Sequence, residues 1–78
     1  PNPVYDHLQI RFSLNTSQRV AITLVNLFGE EIVTLADGIF STGNQQVYFN
    51  AAHLTNGIYA VRFISGENII TKKLMIIK

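Results

Sequence analysis

The sequence predicts an all-β fold, a seven-stranded antiparallel Ig-like β-sandwich. Three observations carry this. Short runs rich in Val, Ile, Leu, Tyr and Phe recur at roughly 8–12-residue spacing. Gly, Asn, Asp and Ser clusters punctuate them. Only residues 51–54 read as helical, and only for one turn.

Pro1-Asn2-Pro3 opens the chain in extended geometry, because proline lacks an N–H donor and restricts its predecessor. Residues 1–7 read as the end of a linker and the opening of one domain spanning residues 1–78. Residues 8–14 alternate apolar and polar at every step. They predict a half-buried strand with Leu8, Ile10, Phe12 and Leu14 inward.

Asn15-Thr16-Ser17-Gln18 is a turn cluster. A second strand over 19–26 places Val20, Ile22 and Leu24 inside, with Ala21 and Thr23 outside. Leu27-Phe28-Gly29-Glu30 predicts a hairpin connection with positive φ at Gly29. The third strand covers 31–36. Asp37-Gly38 reads as a turn, which leaves Ile39-Phe40 as a short fourth strand. Residues 45–50 form the fifth, with Val47 and Phe49 on one face, and Asn50 caps the helical turn that follows. Asn56-Gly57 turns the chain into a sixth strand over 58–65, with Tyr59, Val61 and Phe63 facing the core. The seventh strand runs from 69 to 78, after a turn at Gly66.

Composition narrows the function. Charged residues are 14% of this 78-residue chain, against about 25% in typical domains, so Asn, Gln, Ser and Thr supply much of the surface. Net charge is +1. No basic stripe lies outside the C-terminal strand, which argues against nucleic acid as a partner. There are no cysteines, which removes disulfides and thiol chemistry. No apolar run approaches the ~20 residues of a membrane helix. The chain begins with Pro1 rather than Met, and reads as a piece of a longer protein.

Catalysis finds little footing. His7 and His53 fall in no acid–base pattern and read as surface residues. The acids are Asp6, Asp37, Glu30, Glu31 and Glu67; four of these five lie in or beside turns, where solvated carboxylates are common. Neither a calcium-loop pattern nor a His-x-x-x-His pair is present. No cofactor or metal is expected. Tyr5, Tyr48 and Phe40 are candidates for sugar stacking, although packing is the commoner role for each.

Two features remain. Gly57-Ile58-Tyr59 reads as a left-handed glycine turn followed by an inward tyrosine whose hydroxyl bonds to backbone at the rim. Three of the six cations, Lys72, Lys73 and Lys78, sit in the last eight positions. Leu74 and Ile76 share a face with Lys72 and Lys78, while Lys73, Met75 and Ile77 share the other. Lysine on an edge strand guards it against sheet-to-sheet aggregation. The same charges can also be an address read by another protein.

Taken in order, these pieces resemble a known family over essentially the whole chain. Asn2-Pro3 resembles its opening Asn-Pro. Val25-Asn26-Leu27-Phe28-Gly29-Glu30-Glu31-Ile32 is similar to its Asn-x-x-Gly-x-x-(Val/Ile) hairpin. Leu54-Thr55-Asn56-Gly57-Ile58-Tyr59 is similar to its Leu-x-x-Gly-(Ile/Val)-Tyr block. Thr71-Lys72-Lys73-Leu74 with Lys78 resembles its closing lysine motif. The family is the type A C-terminal sorting domain of the type IX secretion system of Bacteroidetes-type bacteria. One departure is Phe49-Asn50, where the family often carries Trp-Asp.

The resemblance implies a non-catalytic secretion signal. It would direct a larger cargo through the periplasm and across the outer membrane to the cell surface or beyond. The implied partners are translocon components and a surface sortase that removes the domain and joins the cargo to an anionic lipopolysaccharide. The implied recognition residues are Gly57, Tyr59, Lys72, Lys73 and Lys78, with Asn2 and Pro3 at the domain opening. The edge strand also offers a route to a weak homodimer. The alternative is a carbohydrate- or protein-binding β-sandwich appended to a secreted enzyme.

Overall fold

A computed structural model describes residues 6–77. Among them the chain is all-β, with six antiparallel strands in two sheets. In chain order these are β1 (His7–Leu14), β2 (Gln18–Val25), β3 (Glu31–Phe40), β4 (Gly43–Asn50), β5 (Gly57–Ser65) and β6 (Asn68–Ile76). One sheet has four strands in the order β3-β2-β5-β6; the other has two, β1-β4.

The sheets face each other across an apolar core. β2 is its centre, because it is paired on both sides and its apolar face is fully enclosed: Val20, Ile22 and Leu24 are each 0% exposed. Leu24 joins Leu8, Ala51, Tyr59, Leu74 and Ile76 at one end of the core. Val20 and Ile22 join Leu14 at the other, supported by Phe12, Phe40 and Phe63. Phe12 packs edge-on against Phe40 and Phe63, with ring centroids 5.3 and 5.1 Å apart, a geometry that aromatic quadrupoles favour. The inward residues expected of β1, β2 and β5 all occupy this core.

The strand count differs from seven because the chain does not turn at Asp37-Gly38. β3 runs straight through that dipeptide, and residues 31–36 and 39–40 belong to one strand. Gly38 does not take up a positive φ. The tertiary ladder overrides the local turn preference: Gln18, Arg19, Val20 and Ala21 of β2 pair with Phe40, Ile39, Gly38 and Asp37. Arg19 Nη2 also donates to Asp37 Oδ1 at 2.8 Å. The irregularity moves upstream, where Leu35 and Ile32 are each the extra residue of a β-bulge. The Leu35 bulge lets Val33 and Leu35 face the core before the shift, and Ala36 and Phe40 after it.

The β2–β3 connection is a closed hydrogen-bonded loop built on Asn26. Its Oδ1 accepts from Phe28 N–H (2.9 Å) and Glu30 N–H (3.0 Å), and its Nδ2 donates to Glu30 Oε1 (2.8 Å). Gly29, at φ +82°, closes the turn in the left-handed region as expected. Asn26→Ala removes all three side-chain bonds at once and is expected to cost about 1–2 kcal/mol. Urea unfolding of the purified domain measures this as a lower midpoint at unchanged slope.

Residues 51–54 form a single turn. Leu54 N–H donates to Ala51 C=O at 3.0 Å, and Asn50 Oδ1 accepts from Ala52 N–H at 2.9 Å, which is the capping role expected of it.

Candidate recognition surface

The described recognition candidates converge on one ladder, β5–β6. Gly57 pairs with Ile76, Tyr59 with Leu74, Ala60 with Lys73 and Val61 with Lys72. The Gly57-Tyr59 segment and the lysine pair, separated in sequence, thus lie on adjacent paired strands. Asn2, Pro3 and Lys78 lie outside the described residues.

Tyr59 holds the start of this ladder in place. Its ring is buried, and its hydroxyl donates to Thr55 C=O at 2.7 Å while lying 3.0 Å from Thr55 Oγ1. The side chain therefore ties β5 back to the loop before it, as the rim bond read from the sequence requires. It presents little surface to a partner. Tyr59→Phe keeps the ring and loses the tie; a cost of about 1–2 kcal/mol is expected, readable as a fall in Tm of the purified domain.

Gly57 differs from expectation. Its φ of +158° lies at the extended margin of the positive region, far from the +60° of Gly66. It begins β5 rather than making a left-handed turn. The nearest side-chain atom to an added Cβ there would be Tyr59 Cε1, at 3.7 Å. Gly57 and Tyr59 are two residues apart in a strand and so share a face. A side chain there would make only an ordinary contact with the ring, so space alone does not demand the glycine.

Among the described residues β6 is an edge strand, paired only with β5. Over residues 69–76 the register follows the two-faced reading of the sequence. Ile70, Lys72, Leu74 and Ile76 stand on the core side with Phe63, Val61 and Tyr59; Ile69, Thr71, Lys73 and Met75 stand on the outer side. Leu74 and Ile76 are buried, whereas Lys72 and Lys73 are exposed. The two lysines therefore flank one strand, pointing to opposite sides of an unpaired backbone edge.

Exposed apolar residues accompany them. Ile69, Ile70 and Met75 on β6 are 65%, 53% and 43% exposed. Sequence alternation accounts for Ile69 and Met75, which share the outer face. It gives no warning of Ile70, which lies on the core side but beyond the reach of the smaller sheet. Leu27 and Phe28 are likewise exposed, at the tip of the Asn26 loop. Their signal was legible: residues inside a four-residue hairpin connection cannot reach back to the core.

The other chemical candidates do not assemble. His7 and His53 are both exposed, and His53 packs its ring edge against Phe49. No group of three or more His, Cys, Asp or Glu able to hold a metal occurs among the described residues. Phe40 packs on Phe12, as the commoner reading of that residue expects. Tyr48 is exposed instead, its hydroxyl donating to Gln46 Oε1 at 2.6 Å. Tyr5 lies outside the described residues. No helix among the described residues is long and apolar enough to cross a membrane.

The described candidates of this small two-sheet domain thus gather on the β5–β6 ladder, with the lysines on its outer strand. The family model of the secretion system C-terminal sorting domain matches residues 1–78, and the chain belongs to that family. It is a C-terminal sorting signal of the type IX secretion system, which implies export to the cell surface or secretion and interaction with the type IX machinery. No curated protein matches the chain.

Proposed function

We propose that the type IX machinery reads this signal as a folded surface centred on the β6 edge. Lys72 and Lys73 flank the unpaired strand, Lys78 extends the same charge, and acidic groups on the receptor meet them. The single observation that carries this is the position of the exposed lysine pair on a strand bonded on one side only. Gly57 and Tyr59 contribute by holding the β5 partner strand in register. Asn2 and Pro3 set the opening of the domain, with residues 1–7 as the end of a linker and the entry segment, and residues 1–78 as one unit.

The domain itself carries no enzymatic activity in this reading. The cargo passes through the periplasm, and a surface sortase removes the domain afterwards. The architecture is Ig-like: the four-stranded order with a smaller facing sheet, and a tyrosine near the start of β5 bonded to backbone upstream, both support it. The β6 edge also permits weak self-pairing into a homodimer, which receptor binding would displace.

Site-specific photo-crosslinking tests the surface. A photo-reactive amino acid at Thr71 on β6 should capture a component of the machinery in secreting cells. The same residue at Thr34, on the opposite edge strand β3, should not. Equal capture from both positions would refute a β6-centred surface.

A further inference from the structure

The two sheets are unequal in width, and the mismatch leaves a groove. Neighbouring strands lie about 4.8 Å apart, so a two-stranded sheet spans only half the width of a four-stranded one. β1 lies over β5, as the Phe12–Phe63 contact records. Beyond β1 no described strand faces the first half of β6. The result is an open groove of about 780 Å³ between the free edge of β1 and the inner face of β6, lined among others by Ile10, Phe12, Phe63, Ile70 and Lys72.

Three properties of this groove define an occupant. Its floor is apolar, and Ile70 stands 53% exposed on the core side of its sheet. One wall is the backbone of β1, which among the described residues is hydrogen-bonded only to β4, so its outward N–H and C=O groups are open to an added strand. The charged residues that line it are Arg11, Lys72 and Lys73, none of them acidic, and of the two lysines Lys72 stands on the groove's side of β6.

We propose that the groove accepts an extended segment of a partner protein, added as a third strand beside β1, with apolar side chains alternating with acidic ones. The apolar residues enter against Ile70 and Phe63. The acidic residues, one step out of phase, lie on the outer side with Arg11, and Lys72 reaches toward the same strand from across the seam. Main-chain hydrogen bonds to β1 supply affinity, and the alternating side chains supply selectivity. The added strand would widen the smaller sheet to three and cover the exposed part of β6. This rests on the domain being a docking signal and specifies how one partner engages it; the site is the β1 edge and the seam, distinct from the outer β6 edge.

The test uses the purified domain and three synthetic peptides of about ten residues. One alternates valine and glutamate, one alternates valine and lysine, and one is the first with a central proline. Binding is read by fluorescence anisotropy, and protection of the β1 amides by NMR hydrogen exchange. The acidic peptide should bind at least about tenfold more tightly than either control, and should protect β1 amides. Ile70→Glu and Lys72→Glu should each weaken it about tenfold while leaving Tm unchanged, since both side chains are exposed.

Absence of binding by the acidic peptide overturns the proposal, as does binding that tolerates the proline or ignores Ile70→Glu. A stable dimer of the domain that Ile70→Glu dissociates would assign the groove to a second copy and also overturn it. Export of a fused reporter is a separate readout: its persistence with failed peptide binding would reject the groove and leave the sorting role intact.

Discussion

Replacing Lys73 and Lys78 together by alanine is expected to stop export of a fused reporter while leaving the domain folded. The structural half of this expectation follows from exposure. Lys73 sits on the outer side of an edge strand, and truncation of an exposed lysine changes stability by less than about 0.5 kcal/mol. Circular dichroism and Tm of the purified variant should match the parent. The functional half follows from charge: three of six cations lie in the last eight residues, and removing two of them takes most of the charge from the proposed address. A reporter that still reaches the surface would refute the lysine reading. Raising salt in an in vitro binding assay should weaken receptor capture in the same direction, because exposed charges are screened within about 8–10 Å at physiological ionic strength.

Leu24→Ala is the complementary case, a large loss of stability with no change at the proposed surface. Leu24 is 0% exposed and packs among Leu8, Tyr59, Leu74 and Ile76 from four other strand positions. Truncating such a side chain costs about 2–5 kcal/mol. A domain of this size has only about 4–12 kcal/mol of net stability, so Tm should fall by more than about 10 °C. If the signal is a folded surface, export should fall with it even though every lysine remains. Full export from a domain that is unfolded at growth temperature would mean that a linear peptide is read instead.

Much of the fold was legible because its strands alternate cleanly. The inward faces of β1, β2, β4 and β5 follow directly from period-two patterning, and Gly29 and Asn50 act as their residue types predict. Asp37-Gly38 misled, because its turn preference is local while the β2 partner strand is not visible from within those two residues. Eight pairings with β2 outweigh it. Gly57 misled for a related reason. The Asn-Gly dipeptide suggests a left-handed turn, but pairing with Ile76 draws the glycine into the start of β5 with a nearly extended backbone.

The candidate surface was legible in part. Lys72 and Lys73 stand where alternation puts them, on opposite faces of β6, and the backbone bond of the Tyr59 hydroxyl follows from a buried phenol's need for an acceptor. The openness of the groove was not legible. It depends on how many strands each sheet contains, and hence on the extra strand that the Asp37-Gly38 turn would have made. Ile70 looks like a core residue in sequence; only the two-strand width of the facing sheet leaves it uncovered.

The most direct test of the central claim transfers the domain. Residues 1–78 are fused behind a reporter that carries its own inner-membrane export signal, in cells with and without a working type IX system, and the protease-accessible surface fraction is measured. The account predicts that the reporter reaches the surface or medium only when both the domain and the system are present, and is retained otherwise. A reporter retained despite both, or surface-exposed without the type IX system, would contradict it.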